Sequence, residues 1–435
     1  MTRSRRRALA LALLAPLALT AGPARARAQQ APSPATPPDP ALLARAQRIL
    51  ARVPVIDGHN DLPSELLERF GGDPLAARLD QGQPALQTDL PRLRAGHVGA
   101  QFWSAYVDND SIPTGAALRV ALRQVDMIRR LIAAYPRALA PALTAADIER
   151  AEHQGRTASL IGVEGGQAIE GSLSALRALY DLGTRYLTLT HNTTLPWADA
   201  ALDSARHHGL TPFGRDVVHE MNRLGMFVDL AHVSDDVMRD ALSVSAAPVI
   251  FSHSSARALI DSPRNVPDDV LALLQTNGGV VMVNFCPCFT AKGYPEWEAQ
   301  MRPARAAMLA ARPTPAERQR LTREWFAAHP RPEATVSDIA DHVDHLVKVA
   351  GIDHVGIGSD FDGIGGESPV GLPDVSAYPV LFAELLRRGY SEADLKKIAG
   401  QNLLRAMKQM EAVAARLRQS ERPSLADSAP AGDAR

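Results

Sequence analysis

GIGSDFDGIGG, residues 356–366, is the nearest this chain comes to a phosphate-cradling turn, and its reading decides between two folds. A doubly wound nucleotide binder needs a glycine-rich strand-to-helix turn whose backbone N–H groups meet phosphate. Here Asp360 and Asp362 stand where phosphate would sit. No GxGxxG or phosphate-loop lysine motif follows any other apolar run, which weakens the open sheet and favours a closed (β/α)8 barrel.

The run that leads into this turn, HVGIGSDFDG (354–363), is the last of eight. The others are VPVIDGHND (53–61), VGAQFWSAYV (98–107), ASLIGVEGG (158–166), TRYLTLTHN (184–192), MFVDLAHVS (226–234), PVIFSHSS (248–255) and GVVMVNF (279–285). Amphipathic stretches such as 115–135, 213–225, 268–278 and 336–351 lie between them. Eight β-rich runs alternating with helical patterns predict a TIM barrel.

The chain has 435 residues, 46% of them apolar, and a net charge of −1. That is enough for one large core, and it provides no global field to draw nucleic acid or an anionic membrane. Residues 1–28 carry a basic head, an apolar stretch and an Ala26-Arg27-Ala28 cleavage pattern, so they read as an export signal. Ser4-Arg5-Arg6-Arg7 resembles a twin-arginine signal, which implies export of the folded protein to the periplasm or outside. A proline-rich linker follows at 29–41, then a catalytic barrel at 42–412 and a flexible tail at 413–435. No stable membrane anchor is expected. Between the seventh and eighth runs, 290–335 reads as an insertion of proline-bounded helices, a lid or a subunit contact. The two cysteines, Cys286 and Cys288, are expected to be packing residues rather than a disulfide, because one intervening residue makes a bridge geometrically awkward.

In a barrel of this kind the chemistry sits at the C-terminal strand ends. The first run ends in His59 and Asp61, the third in Glu164, the fourth in His191, the fifth in His232, the sixth in His253 and the eighth in Asp360. A single strand-end histidine is more often structural than functional. Four of the 13 histidines at such ends are another matter, since packed imidazoles are costly unless they bind metal or hydrogen bonds. His342 and His345 on a predicted helix are the competing pair, but apolar Ile339, Val343 and Leu346 behind them suggest an ordinary exposed helix face.

The motifs DGHND, GVEGG, LTHN, DLAHVS, FSHSSAR, SPRNVPDD, VMVNF, GIGSDFDG, DVSAYP and QNLLR, in this order over residues 53–410, resemble the membrane dipeptidase (renal dipeptidase) family. The resemblance implies a zinc-dependent dipeptidase acting on dipeptides, including those with a C-terminal D-residue. It implies two Zn2+ ions, one held by His59 and Asp61 and the other by His232 and His253, with Glu164 and a water or hydroxide bridging them. It further implies His191 as substrate and oxyanion contact, Asp360 as proton shuttle, Arg264 as clamp for the substrate carboxylate, and a homodimeric assembly. Spacing alone leaves Arg264 equally readable as a surface residue at a helix start. Phe289 stands where the mammalian members carry a tyrosine, so substrate selectivity does not transfer directly. A related hydrolase of β-lactam or N-acyl amides, or a non-catalytic exported peptide-binding protein, are the alternative readings.

Overall fold

The structure, a computed structural model, describes residues 38–311 and 314–426. The expected export signal, the linker up to residue 37 and the end of the tail lie outside the described residues.

The strands are β1 (Val55–Asn60), β2 (Val98–Tyr106), β3 (Leu139–Pro141), β4 (Thr157–Glu164), β5 (Thr184–Thr188), β6 (Phe227–Asp229), β7 (Ile250–Phe251), β8 (Val280–Val283) and β9 (Val355–Ile357). All eight expected runs contain one, and β3 is additional. Parallel pairing runs β1–β2–β4–β5–β6–β7–β8–β9 and returns from β9 to β1, so the sheet closes. The extra strand β3 pairs with the first residues of β4, below the point where β5 takes over at Ile161.

The barrel follows from the period of two along each strand. Ile56, Ala100, Phe102, Ala158, Leu160, Tyr186, Phe227, Ile250, Val280 and Met282 fill the interior. Their neighbours Val55, Trp103, Val163, Leu187, Val228, Phe251 and Val281 face the surrounding helices. Gly162 gives up its side chain to this layering, because a Cβ there would lie 1.9 Å from the Tyr186 ring. Glu164 continues the inward series of Leu160 and Gly162 and reaches the cavity above.

Several expectations change. The helix Pro40–Leu50, capped by Asp39, begins within the stretch assigned to the linker. The last helix, Asn402–Ser420, continues past 412 and buries Val413 and Ala414 where a flexible tail was expected, so its apolar face outlasts the periodicity visible in sequence. Cys286 and Cys288 are joined by a disulfide, contrary to the packing reading: the turn into the short helix Pro287–Thr290 brings their Cα atoms to 5.1 Å. His342 is buried rather than exposed, and its Nδ1 accepts the Ala256 N–H at 3.1 Å, while His345 pairs with Asp268. The two histidines therefore serve different contacts and share no metal site. The insertion forms two helices, Tyr294–Ala310 and Pro315–Ala328, held by edge and tilted contacts of Trp297 with Trp325 and Phe326. No helix among the described residues is long and apolar enough to cross a membrane.

Candidate metal centre

Asp61, Glu164, His191, His232, His253 and Asp360 line one cavity of about 430 Å³, as does Arg264, and His59 is buried in its wall against Asp61 and Glu164. His59 arrives there through an irregularity: three steps along β1, Asp57 to Asn60, match two along β2, Gln101 to Trp103. The bulge re-aims the strand end. Asp61 follows as the residue before the helix Leu62–Arg69. His232 and Asp360 both adopt left-handed backbone, φ 68° and 65°. Such a conformation costs a β-carbon residue ~1–3 kcal/mol and persists only where neighbours enforce it. The His232 carbonyl accepts from Ala201 N at 2.8 Å, and Asp360 N donates to the His59 carbonyl at 3.1 Å.

The carboxylate of Glu164 divides the cluster. Its Oε2 lies 3.5 Å from His59 Nε2, which is itself 3.1 Å from Asp61. Its Oε1 lies 3.0 Å from His232 Nε2 and 3.5 Å from His253 Nε2. Donor atoms within 4.8 Å of one another form three groups: His59, Glu164 and His253; Glu164, His191 and His232; and His59, Asp61 and Asp360.

The outer hydrogen bonds decide what these atoms can hold. His232 Nδ1 faces Asn192 Oδ1 at 3.0 Å, an acceptor, so Nδ1 carries the proton. The Ser252 hydroxyl donates its only hydrogen to Asp229 at 2.6 Å and therefore accepts from His253 Nδ1 at 2.8 Å. Both Nε2 atoms then present lone pairs, and they are 3.0 Å apart beside an anionic oxygen. Only a cation or an added proton relieves that arrangement, so the donor set fits a metal ion. His59 Nδ1 is held by the Tyr186 hydroxyl at 2.8 Å, and its buried Nε2 faces the Asp61 and Glu164 carboxylates at 3.1 and 3.5 Å.

Charge follows the same division. Burial foremost, with Arg264 and the neighbouring imidazoles, pushes His232 and His253 well below the usual histidine range and keeps them neutral. For His59 burial works against charge, but Tyr186, Glu164 and Asp61 raise its pKa well above normal. A cation held by His59 and Asp61 would take the place of that proton. Burial raises Asp360 to about 8, with His59 opposing and Asp61 and Glu164 reinforcing. Asn284 Nδ2 donates to Asp360 at 3.0 Å.

Arg264 is 1% exposed, so the surface reading fails. Its Nη2 donates weakly to the His253 carbonyl at 3.4 Å and its guanidinium carbon lies 5.0 Å from the Phe289 ring centre, while Nε and Nη1 have no partner among the described residues. His191 Nδ1 is also buried without one.

Residues 43–421 match the model of the membrane dipeptidase family, peptidase family M19. The chain belongs to that family. Among relatives of the membrane dipeptidase, it is 43% identical to dipeptidase 3 of Rattus norvegicus, covering 86% of this chain and 69% of that protein. It is 41% identical to an uncharacterized dipeptidase of Schizosaccharomyces pombe, over 84% of this chain and 83% of that protein. Its fold is similar to a metallopeptidase from Rhodobacter sphaeroides liganded with a phosphinate mimic of the dipeptide L-Ala-D-Ala: TM-score 0.69, 25% identity, 82% of this chain and 99% of that one. It is similar also to the M19 metallopeptidase dipeptidase AC, with TM-score 0.68, 27% identity and coverage of 82% and 98%.

Within this family fold, the chain carries site-orienting residues that sequence reasoning passed over. Tyr186, Ser252 and Asn284 orient His59, His253 and Asp360 from outside the cavity, and Asn192, which orients His232, lines it. Asn192 and Ser252 stand directly beside His191 and His253 in the quoted motifs, and that adjacency was the available signal. Tyr186 sits mid-strand and had none.

Proposed function

We propose that this dipeptidase-family metallopeptidase is a binuclear zinc enzyme that hydrolyses dipeptides, including those with a C-terminal D-residue. The observation that carries the reading is the division of Glu164, whose two oxygens each face a separate set of metal-competent donors. His59 and Asp61 would hold one ion, His232 and His253 the other. When bound, two Zn2+ supply Lewis acidity that lowers the pKa of water to ~7 and polarises the scissile carbonyl.

The chain's own residues do the rest. Arg264, with Nε and Nη1 free, offers a fork for the terminal carboxylate of the substrate. His191 donates to the oxygen that becomes negative during attack. Asp360, held by Asn284, accepts the proton lost by attacking water and returns it to the leaving amine. Glu65, Glu68 and Asp362 also line the cavity; with Glu65 paired to Arg69 and Asp362 accepting the Gln87 N–H, Glu68 is the one to meet a free substrate ammonium, which favours dipeptides over N-acylated amino acids. The solved relative carrying an L-Ala-D-Ala mimic supports acceptance of a D-residue. The basic, apolar and small-residue pattern of 1–28 supports export, with the twin-arginine route proposed on Arg5-Arg6.

Arg264→Ala tests the substrate side. Charge-assisted hydrogen bonds contribute ~1.5–3 kcal/mol, so KM for dipeptides should rise about 10- to 100-fold with kcat less affected. Dipeptide amides, lacking the carboxylate, should be poor substrates of both forms. Equal losses on dipeptide and amide would contradict the clamp.

A further inference from the structure

We infer that Asp229, a residue with no contact to substrate, sets the tautomer of His253 through Ser252 and so controls binding of the second metal ion. This rests on the metal reading above.

Asp229 is fully buried at the end of β6, one strand before His253. Its Oδ1 accepts two backbone N–H groups, Ser252 at 2.8 Å and Ala231 at 3.2 Å. Its Oδ2 accepts two hydroxyls, Thr188 at 2.5 Å and Ser252 at 2.6 Å. Burial raises this carboxyl's pKa, and the same four donors oppose the rise. With the Ser252 hydrogen committed to Asp229, the Ser252 oxygen can only accept, and His253 must carry its proton on Nδ1. Nε2 is thereby left as a lone pair facing Glu164.

A clamp of the same form exists at β1. Asp57 takes Ser359 N at 2.9 Å, Ser359 Oγ at 2.6 Å and the Tyr378 hydroxyl at 2.6 Å. Among the described residues no imidazole ring nitrogen bonds to Ser359 beyond it, so such a clamp by itself joins strands. The relay to a ligand histidine is what β6 and β7 add.

Asp229→Asn separates the two roles. Oδ1 must stay an oxygen to meet the two backbone donors, so the amide NH2 takes the place of Oδ2 and donates to both hydroxyls. Ser252 then turns its own hydrogen towards His253 Nδ1, and the ring proton moves to Nε2, the wrong tautomer for a metal ligand. Ser252→Ala removes the hydroxyl without imposing a tautomer, a milder change. The double variant therefore binds metal better than Asp229→Asn alone, because deleting Ser252 deletes the hydrogen that blocks the ring.

The test is zinc affinity by chelator competition, with far-UV circular dichroism of each zinc-free protein as the control on folding. Loss of an outer-sphere partner costs roughly 10- to 100-fold in metal affinity. Ser252→Ala should fall in that range for the ion held by His232 and His253, Asp229→Asn at or beyond its upper end, and the double variant should recover about tenfold relative to Asp229→Asn. A double variant no better than Asp229→Asn means that Asp229 is only a strand clamp, and overturns the inference. Should Asp229→Asn not fold, Ser252→Thr, which keeps the hydroxyl, must bind zinc more tightly than Ser252→Ala; equal affinities overturn it. If the wild type takes up no zinc, the metal reading itself fails. If the wild type takes two ions and Asp229→Asn holds both as tightly, only the relay fails.

Discussion

Glu164→Gln should reduce bound zinc from two ions per chain to at most one and lower kcat/KM for dipeptides at least about a thousandfold. The other proposed ligands each serve one side of the cluster, whereas Glu164 presents Oε2 to His59 and Oε1 to His232 and His253. The neutral amide keeps the shape but offers one oxygen where the carboxylate offers two, and places an NH2 against lone pairs or a cation. Metal ions contribute several kcal/mol of transition-state stabilisation, and ~4 kcal/mol already corresponds to about a thousandfold in rate. Ser104, which donates to Oε2 at 3.2 Å, can hold the amide oxygen, so the zinc-free variant should keep its fold. Metal analysis and steady-state kinetics on one preparation check this. Full zinc content with undiminished turnover would remove Glu164 from the site.

Asp360→Asn should separate proton transfer from metal binding. The residue lies 4.0 Å from His59 Nε2 and is positioned by Asn284, so its loss removes a group that accepts and returns a proton. General acid–base groups contribute typically ~10²–10⁴-fold, and the loss should fall on kcat with zinc content kept. The pH profile gives the sign. Without cations, burial and the charges of Asp61 and Glu164 hold this carboxyl at about 8, mostly protonated at neutral pH. Cations on the neighbouring donors oppose that repulsion and favour the carboxylate. In the zinc-loaded wild type the acid limb of kcat/KM should therefore lie below 8, and in Asp360→Asn that limb should be absent. An unchanged limb in the variant would assign it to another group.

The fold was legible because each strand of the barrel is a short β-branched or aromatic run, and every run was matched, even β7, which is only Ile250–Phe251. The first ring of polar residues was legible for the same reason: a strand end is visible as the point where an apolar run stops at His or Glu. Beyond it, sequence loses direction. Nothing in TRYLTLTHN says that Tyr186 points inward under His59, because that depends on Gly162 of the neighbouring strand giving up its side chain. Nothing in DLAHVS separates Asp229, buried beneath the site, from an acid in it. Arg264 gave no sign of burial, since its loop is drawn inward by contacts with His253 and Phe289. The bridge between Cys286 and Cys288 was missed because spacing alone cannot show the turn that brings them together. The helix Val336–Ala350 looked like an ordinary exposed face at His342, yet packing against the loop after β7 buries it.

The most direct test of two metal ions shared across Glu164 is zinc titration of the chelator-stripped protein while hydrolysis of L-Ala-L-Ala and L-Ala-D-Ala is followed. The stripped protein should be inactive, and activity on both dipeptides should return with zinc uptake and level off at two ions per chain. Hydrolysis that persists without metal, or two bound ions with both dipeptides left intact, would contradict the account.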